Sequence, residues 1–404
     1  MEVGMRGRPR EHAPRGRRRP AAVAAFALLT LVACTPPPQP APSTSPAAAA
    51  VPAAGTTASP SGTGGAPPPG LFVGQVLAYA VHGFTAAQVS GITRALGVPV
   101  TAAYTTEREL PTPNAALTIP VSTLYTDPVA YAAAAGQPAL AAQLRTGVVL
   151  AASEAVLRHA SVGDTVTFGA GVKLPVTAIV DDHVVGGHEM ATGNPALRPS
   201  GQSASYLLVG GGQTVATVRS RVTAVVPSTP VRVETTTANG FMSSSDTVLT
   251  QLQMKKQFGE FSVQRLANGA LAPAASWEVS HIVSRRITQL GLVTCNKGVL
   301  ADLTAAMTEI TRRNLGATVH SADFAYEGGC YNPSVVPFSS GGAISAHTWG
   351  VAVDINVDVN PLGATPHQDP RLVAIMRAHN FMWGGTFLRT DAAHFEWVGP
   401  TVKH

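Results

Sequence analysis

Hydrophobic and polar positions divide the chain into four stretches. Residues 21–33 are a continuous apolar run. Residues 35–70 are Pro, Ala, Ser, Thr and Gly with no charge and almost no large apolar side chain, so they cannot bury a core and read as a tether. From 71 to 243, short apolar runs alternate with amphipathic ones. Leu71–Ala80 predicts a strand; Thr85 then caps a helix whose Val89, Ile92 and Leu96 share a face, Gly97 stops it, and Val98–Tyr104 predicts the next strand. The stretch 147–182 predicts strand, helix and a hairpin turning at Gly169 and Gly171. From 244 onward a helix is expected over 246–261, followed by a linker with Trp277. A second helix carries Leu300, Leu303, Met307 and Ile310 on one face and ends at Gly316. Asp369-Pro370 opens a third, with Leu372, Ile375 and Met376 inward. The expected fold class is α+β: one α+β domain at 71–243 and a second domain at 244–404.

Two strand patterns in the second domain place polar groups against an apolar background. Over Val351–Val359 the odd positions are Val, Val, Ile, Val and Val, and the even ones are Ala352, Asp354, Asn356 and Asp358. Read as one strand, this aims Asp354 away from the core, while Asp358 lies too far along to share its chemistry. His347 precedes the strand, with Gly350 as a hinge between. From His394, the same alternation puts His394, Glu396 and Val398 on one face and Phe395 and Trp397 on the other.

Composition changes the picture at the N-terminus. Seven of the 28 basic residues and two of the 23 acidic ones lie in residues 1–19, so the remainder holds 21 of each and has no basic excess for nucleic acid. Arginines, an apolar run and Leu31-Val32-Ala33-Cys34 form the layout of an export signal. That ending resembles a bacterial lipobox, so residues 1–34 are read as a signal peptide and Cys34 as the lipidated residue. The expected location is the outer face of a cell membrane, held by a lipid anchor and facing the cell wall. Cys295 and Cys330 then remain in an oxidising compartment and are expected to form a disulfide worth about 4 kcal/mol by chain entropy.

Three features of the first domain read as structural. Gly210-Gly211-Gly212 lacks the spacing of a phosphate loop and reads as a turn. Asp181, Asp182, His183, His188 and Glu189, around Gly186-Gly187, read as a solvated loop. The 147–182 stretch resembles the extracytoplasmic domains of bacterial permeases of the FtsX and MacB type, which implies an interaction module with a protein partner.

If the strands of Asp354 and His394 are antiparallel neighbours, His347, Asp354 and His394 converge. Two imidazoles and a carboxylate with one open position suit a catalytic zinc ion. Asp391, three residues before His394, is placed to act as general base, and Glu396 to orient a ligand from behind. Ser345, two residues before His347, is read with Glu396 as support for the ligands.

The run Ser345–Asp354, S-x-H-x-x-G-x-A-x-D, together with Asp391-Ala392-Ala393-His394-Phe395-Glu396-Trp397, resembles the M15 peptidases. These include the VanY-type D-alanyl-D-alanine carboxypeptidases and the L-alanyl-D-glutamate endolysins. The runs "GGCYNP" and "FMWGG" fit as well. The resemblance covers roughly Ser244 to the C-terminus. It implies a hedgehog/DD-peptidase-like domain with a small antiparallel sheet and packed helices, Zn2+ on His347, Asp354 and His394, and Asp391 as the base. The implied function is hydrolysis of peptidoglycan stem peptides; the alternative is a degenerate domain that binds zinc and a cell-wall peptide or protein partner. One departure stands out. The family carries an arginine upstream of the first histidine, yet Asn314 to Pro370 contains no Lys or Arg, and Ser334 and Pro337 stand where it is expected. Arg371 or Arg389 is a candidate to replace it in space. Lipidation has its own check: the mass of the mature chain from a native-type bacterial host is expected to begin at a diacylglyceryl-modified Cys34, and a free Cys34 thiol would refute it.

Overall fold

The run Val76-Leu77-Ala78-Tyr79-Ala80 lacks polar alternation because both its faces are covered. Leu77 and Tyr79 enter one core, while Val76, Ala78 and Ala80 enter another beneath two helices. The computed structural model describes residues 71–236, 247–267, 270–324, 329–336 and 341–399. The export signal with Cys34, the tether, the 243/244 boundary and Pro337 lie outside the described residues.

The first sheet begins with β1 (Val76–Phe84), α1 (Ala86–Leu96), β2 (Val100–Pro111) and β3 (Thr118–Thr126). It continues through α2 (Pro128–Ala135), α3 (Leu140–Thr146), β4 (Val148–Ala151), α4 (Ala152–Arg158), β5 (Thr165–Thr167), β6 (Lys173–Val180) and β7 (Met190–Thr192). It closes with β8 (Ala204–Val209), α5 (Val215–Val225) and β9 (Val231–Thr235). The strand order is β5-β6-β4-β7-β3-β2-β8-β1-β9. Thr85 and Gln88 form a reciprocal capping box at α1, and Gly97 ends it in the left-handed region at φ 67°. The expected strands shift: β1 starts at Val76 rather than Leu71, because Phe72 takes a φ of 55°, and β2 runs on to Pro111.

The second half comprises α6 (Gln251–Phe258), β10 (Val263–Arg265), β11 (Leu271–Pro273), α7 (Ala275–His281), β12 (Ile282–Ile287) and β13 (Gly291–Asn296). It continues with α8 (Val299–Arg312), α9 (Ser321–Phe324), β14 (Ala352–Asp354), α10 (Pro370–Ala378), β15 (Phe381–Trp383) and β16 (His394–Trp397). Trp277 is thus helical, in α7, rather than in a linker. The helix α6 is shorter than expected and starts at a capping box of Thr250 and Gln253. It belongs to two cores, with Leu252 in that of the first sheet and Met254 and Phe258 in that of the second half. β10 also pairs with β3 at Val263 and Thr118.

α8 buries Val299, Leu300, Leu303, Ala306, Met307 and Ile310. It ends at Arg312 and the left-handed exit is made by Asn314, at φ 58°, and not by Gly316, which opens a separate 3-10 turn. Asparagine tolerates the left-handed region, so the exit comes two residues early. The nine-residue strand expected at Val351–Val359 is only three residues long. Asn356 turns the chain at φ 63°, its side chain donating to Thr318 O and Gln368 and accepting from His320 N. Asp358 is therefore on a turn, paired with His320, and Val359 is 38% exposed instead of packed. Cys295 and Cys330 are disulfide-bonded and buried.

The 181–189 segment divides instead of forming one solvated loop. Asp181 and His183 are exposed and pair with each other, but His188 and Glu189 are buried. The cause is α6, whose Lys255 lies on Glu189 from 66 residues further along the chain. His188 bonds Ser122 Oγ through Nδ1 at 2.7 Å, and burial pushes its imidazole down to about 4. The folded state therefore holds His188 neutral while the unfolded chain takes up a proton below its ordinary pKa of about 6.5. Stability from this group is complete above pH 6.5 and is lost as pH falls through 4, by about 3 kcal/mol. Denaturant unfolding of the native chain and His188→Asn across pH 4–7 is expected to show that extra acid slope in the native chain alone.

Candidate metal centre

His347 sits in a 3-10 turn, Ala346–Trp349, whose start is capped by Ser345: its Oγ accepts from His347 N at 3.3 Å. Gly350 closes the turn in the left-handed region at φ 64°, where an added Cβ would lie 2.7 Å from Asn296 N. The chain then passes directly into β14. β14 pairs antiparallel with β16, which places Asp354 opposite His394, and β15 flanks β16 on its other side. His347, Asp354 and His394 thus meet at the end of a three-stranded sheet.

Their distances define a small cage. His347 Nε2 lies 3.2 Å from His394 Nδ1 and 3.2 Å from Asp354 Oδ2, and His394 Nδ1 lies 3.1 Å from Asp354 Oδ1. Ligands about 2.0–2.1 Å from a tetrahedral zinc stand about 3.3 Å apart, so the three atoms already have the spacing of one face of that polyhedron. The outward nitrogens both face acceptors, one within hydrogen-bond distance. His347 Nδ1 bonds Cys330 O at 2.8 Å, which leaves Nε2 as the ligand atom, and Glu396 lies 4.0 Å behind His394 Nε2. Glu396 is fully buried and accepts from Val248 N and Leu249 N, each at 3.0 Å.

Electrostatics describes the same cage without an ion. Burial disfavours the charged form of Asp354, but His347 and then His394 outweigh it and hold the carboxylate far below its usual range. Burial likewise opposes charge on His394, yet Asp354, Asp391 and Glu396 push its imidazole up to about 9. A proton thus fills the position of a cation, and a metal binding near neutral pH would displace it. The donor set, one carboxylate and two imidazoles, fits zinc.

Asp391 is half-buried beside this cage. Burial raises its pKa; His394 opposes that rise and Asp354 adds to it. Its backbone N–H donates to Gly384 O at 3.0 Å. A Cβ on Gly384 would fall 2.6 Å from Asp391 O and 3.1 Å from both His394 Cβ and the Phe387 ring, so the turn at 384–391 closes only on glycine. Of the two candidate cations, Arg371 is committed to Asp369 at 2.7 Å on an exposed helix start, whereas Arg389 is close enough to lower the Asp391 pKa.

The carbonyl of Cys330 was not foreseeable as part of the site, since a backbone oxygen has no signature in a sequence. It works with two neighbours: Gly329 bridges Asp354, its N–H reaching Asp354 O at 3.3 Å, and Tyr331 N bonds Thr294 O at 2.9 Å. The disulfide to Cys295 therefore pins the loop that touches two of the three ligands. A second acidic group, Glu154, Glu189 and Glu260, already has Lys255 and Arg158 as cations. A cavity of about 800 Å³ on the first sheet, bordered by Thr101, Tyr104, Tyr125 and Arg198, includes no residue of the cage.

Residues 339–397 match the family model described as D-alanyl-D-alanine carboxypeptidase. The match supports an M15 peptidase domain. All three cage residues, Asp391 and Glu396 lie inside it. Comparison with curated proteins returns no match. Among solved structures, the extracellular domain of the noncanonic ABC-type transporter YknZ from Gram-positive bacteria aligns at 13% identity with a TM-score of 0.26. It covers 36% of this chain and 88% of that one. A likeness at that score carries no argument. For the M15-type segment the geometry sets a graded expectation: His347→Ala abolishes stoichiometric zinc, while Glu396→Gln retains it with affinity lowered about 10- to 100-fold, as read by competition with a chromophoric chelator.

Proposed function

We propose that the C-terminal domain is a zinc-dependent peptidase of the D-alanyl-D-alanine carboxypeptidase type, with a hedgehog/DD-peptidase-like fold, acting on peptidoglycan stem peptides. The observation that carries this reading is the mutual 3.1–3.2 Å spacing of His347 Nε2, Asp354 and His394 Nδ1. Zinc, when bound, supplies a Lewis acid for the scissile carbonyl and lowers the pKa of water to about 7. His347 is held in the required tautomer by Cys330 O, and the Glu396 carboxylate lies 4.0 Å behind His394 Nε2. Asp391, whose carboxylate is made more basic by burial, takes the proton of the attacking water and returns it to the leaving amine. Arg389 is the cation nearest that carboxylate in sequence and is assigned to the developing charge or to the substrate carboxylate. The domain acts outside the cell, on a chain anchored through Cys34, with the 71–243 domain available to a protein partner.

A second reading, a domain that binds zinc and a peptide or protein without turnover, is favoured by the absence of any Lys or Arg from Asn314 to Pro370. Losing an oxyanion donor costs roughly 3 kcal/mol in transition-state stabilisation. One assay decides between them. Zinc-loaded native chain is expected to release D-alanine from pentapeptide stems, and Asp391→Asn to retain zinc while kcat/KM falls at least about 100-fold. Zinc-loaded native chain without turnover would leave the binding reading.

A further inference from the structure

The largest group of buried charges outside the metal cage gathers beneath α6. Lys255 and Glu189, neither with any exposed side-chain surface, form an ion pair; Lys255 Nζ also reaches Pro120 O at 2.6 Å and Glu260 at 3.0 Å. One turn earlier, Gln251 Nε2 donates to Glu189 at 2.9 Å and to Glu107 at 2.8 Å. Glu107, Pro120 and Glu189 all belong to the first sheet or its immediate edge, so one face of α6 is fixed to that sheet.

The segment leading into α6 performs the second task. Val248 and Leu249 stand just before the Thr250 cap, and their N–H groups are the two that Glu396 accepts behind His394. A helix of eight residues therefore joins a buried ion pair in one half of the molecule to the group backing a ligand in the other. The segment before His347 rests on the same sheet. Gly341 O accepts from Glu107 N at 2.7 Å, and a Cβ on Gly341 would lie 2.1 Å from Thr105 O.

We propose that the Glu189–Lys255 pair is a positioning device for the metal centre: it fixes α6 on the first sheet, and α6 holds Glu396 behind His394. The inference rests on the reading of His347, Asp354 and His394 as metal ligands. A buried ion pair adds little stability over apolar residues of the same volume, so its contribution here is read from the direction of its bonds. Apolar contact alone would let α6 slide along the sheet; the bonds of Lys255 and Gln251 to Glu189, Glu107 and Pro120 O fix its register. Coupling of this kind is reciprocal, so metal binding also tightens the Val248 and Leu249 amides.

The test uses Co2+ as the probe on the full chain, reading its dissociation constant, its visible ligand-field spectrum and hydrogen exchange at Val248 and Leu249. The uncharged double variant Glu189→Gln with Lys255→Met is expected to melt cooperatively, bind Co2+ about 10-fold more weakly with an altered spectrum, and exchange both amides faster. Val218→Ala, in the separate core beneath α5, is expected to lower stability without moving these three readouts. A folded double variant with native affinity and spectrum overturns the proposal. Should the double variant fail to fold, Glu189→Asp keeps both charges but shortens the reach to Lys255 and Gln251, and native affinity and spectrum there overturn it as well. A native chain that binds no Co2+ would remove the ligand reading itself, and this inference with it.

Discussion

Two imidazole nitrogens and a carboxylate within 3.2 Å of one another require a proton or a cation among them. Without it, three lone-pair donors would face each other in a largely buried site, at a desolvation cost that a small sheet could not offset. In the metal-free chain the proton on His394 supplies that charge, and the donor set suits zinc in its place. Much of the second half can be understood as the scaffold for this cluster: the capped turn of His347, the three-residue β14, the glycine-dependent turn at 384–391, and the disulfide-pinned loop at Cys330.

The scaffold extends beyond the segment that matches the peptidase family. Glu396 takes its hydrogen bonds from residues 248 and 249, and Gly341 lies on β2, so both ligand-bearing stretches lean on elements from earlier in the chain. The first sheet is therefore part of the support of the His347–Asp354–His394 cluster. Its strands β2 and β3 and the edge of β7 form the wall on which α6 and the approach to His347 are seated. Two cores share α6, and a movement of that helix would be felt at His394 through a buried carboxylate and not through the open face of the site.

Charge is distributed accordingly. The site is rich in acids and imidazoles, and no Lys or Arg occurs between Asn314 and Pro370. Arg371 pairs with Asp369 at the start of α10, and Arg389, two residues before Asp391, is a cation whose field reaches that carboxylate. Positive charge thus reaches the cluster from the 384–391 side. That side is the one closed by Gly384 and walled by Phe387.

The sequence by itself determined the local elements whose signals are short-range: the Thr85 cap and Gly97 stop of α1, the apolar face of α8, the Asp369-Pro370 start of α10, and the alternation around His394. It also singled out His347, Asp354 and His394, which the fold brings together, and Asp391 and Glu396 beside them, because all are polar positions in apolar surroundings. Tertiary structure alone decided the rest. Valine alternation through Val359 promised a long strand, but the pull of Thr318, Gln368 and His320 on Asn356 ended it at Asp354. The acidic loop at 181–189 looked solvated because Lys255, the partner that buries Glu189, is 66 residues away. The carbonyl of Cys330 and the amides of Val248 and Leu249 have no side-chain signature at all. Backbone groups and distant ion pairs act only once the chain has brought them together, and so they were invisible until it had.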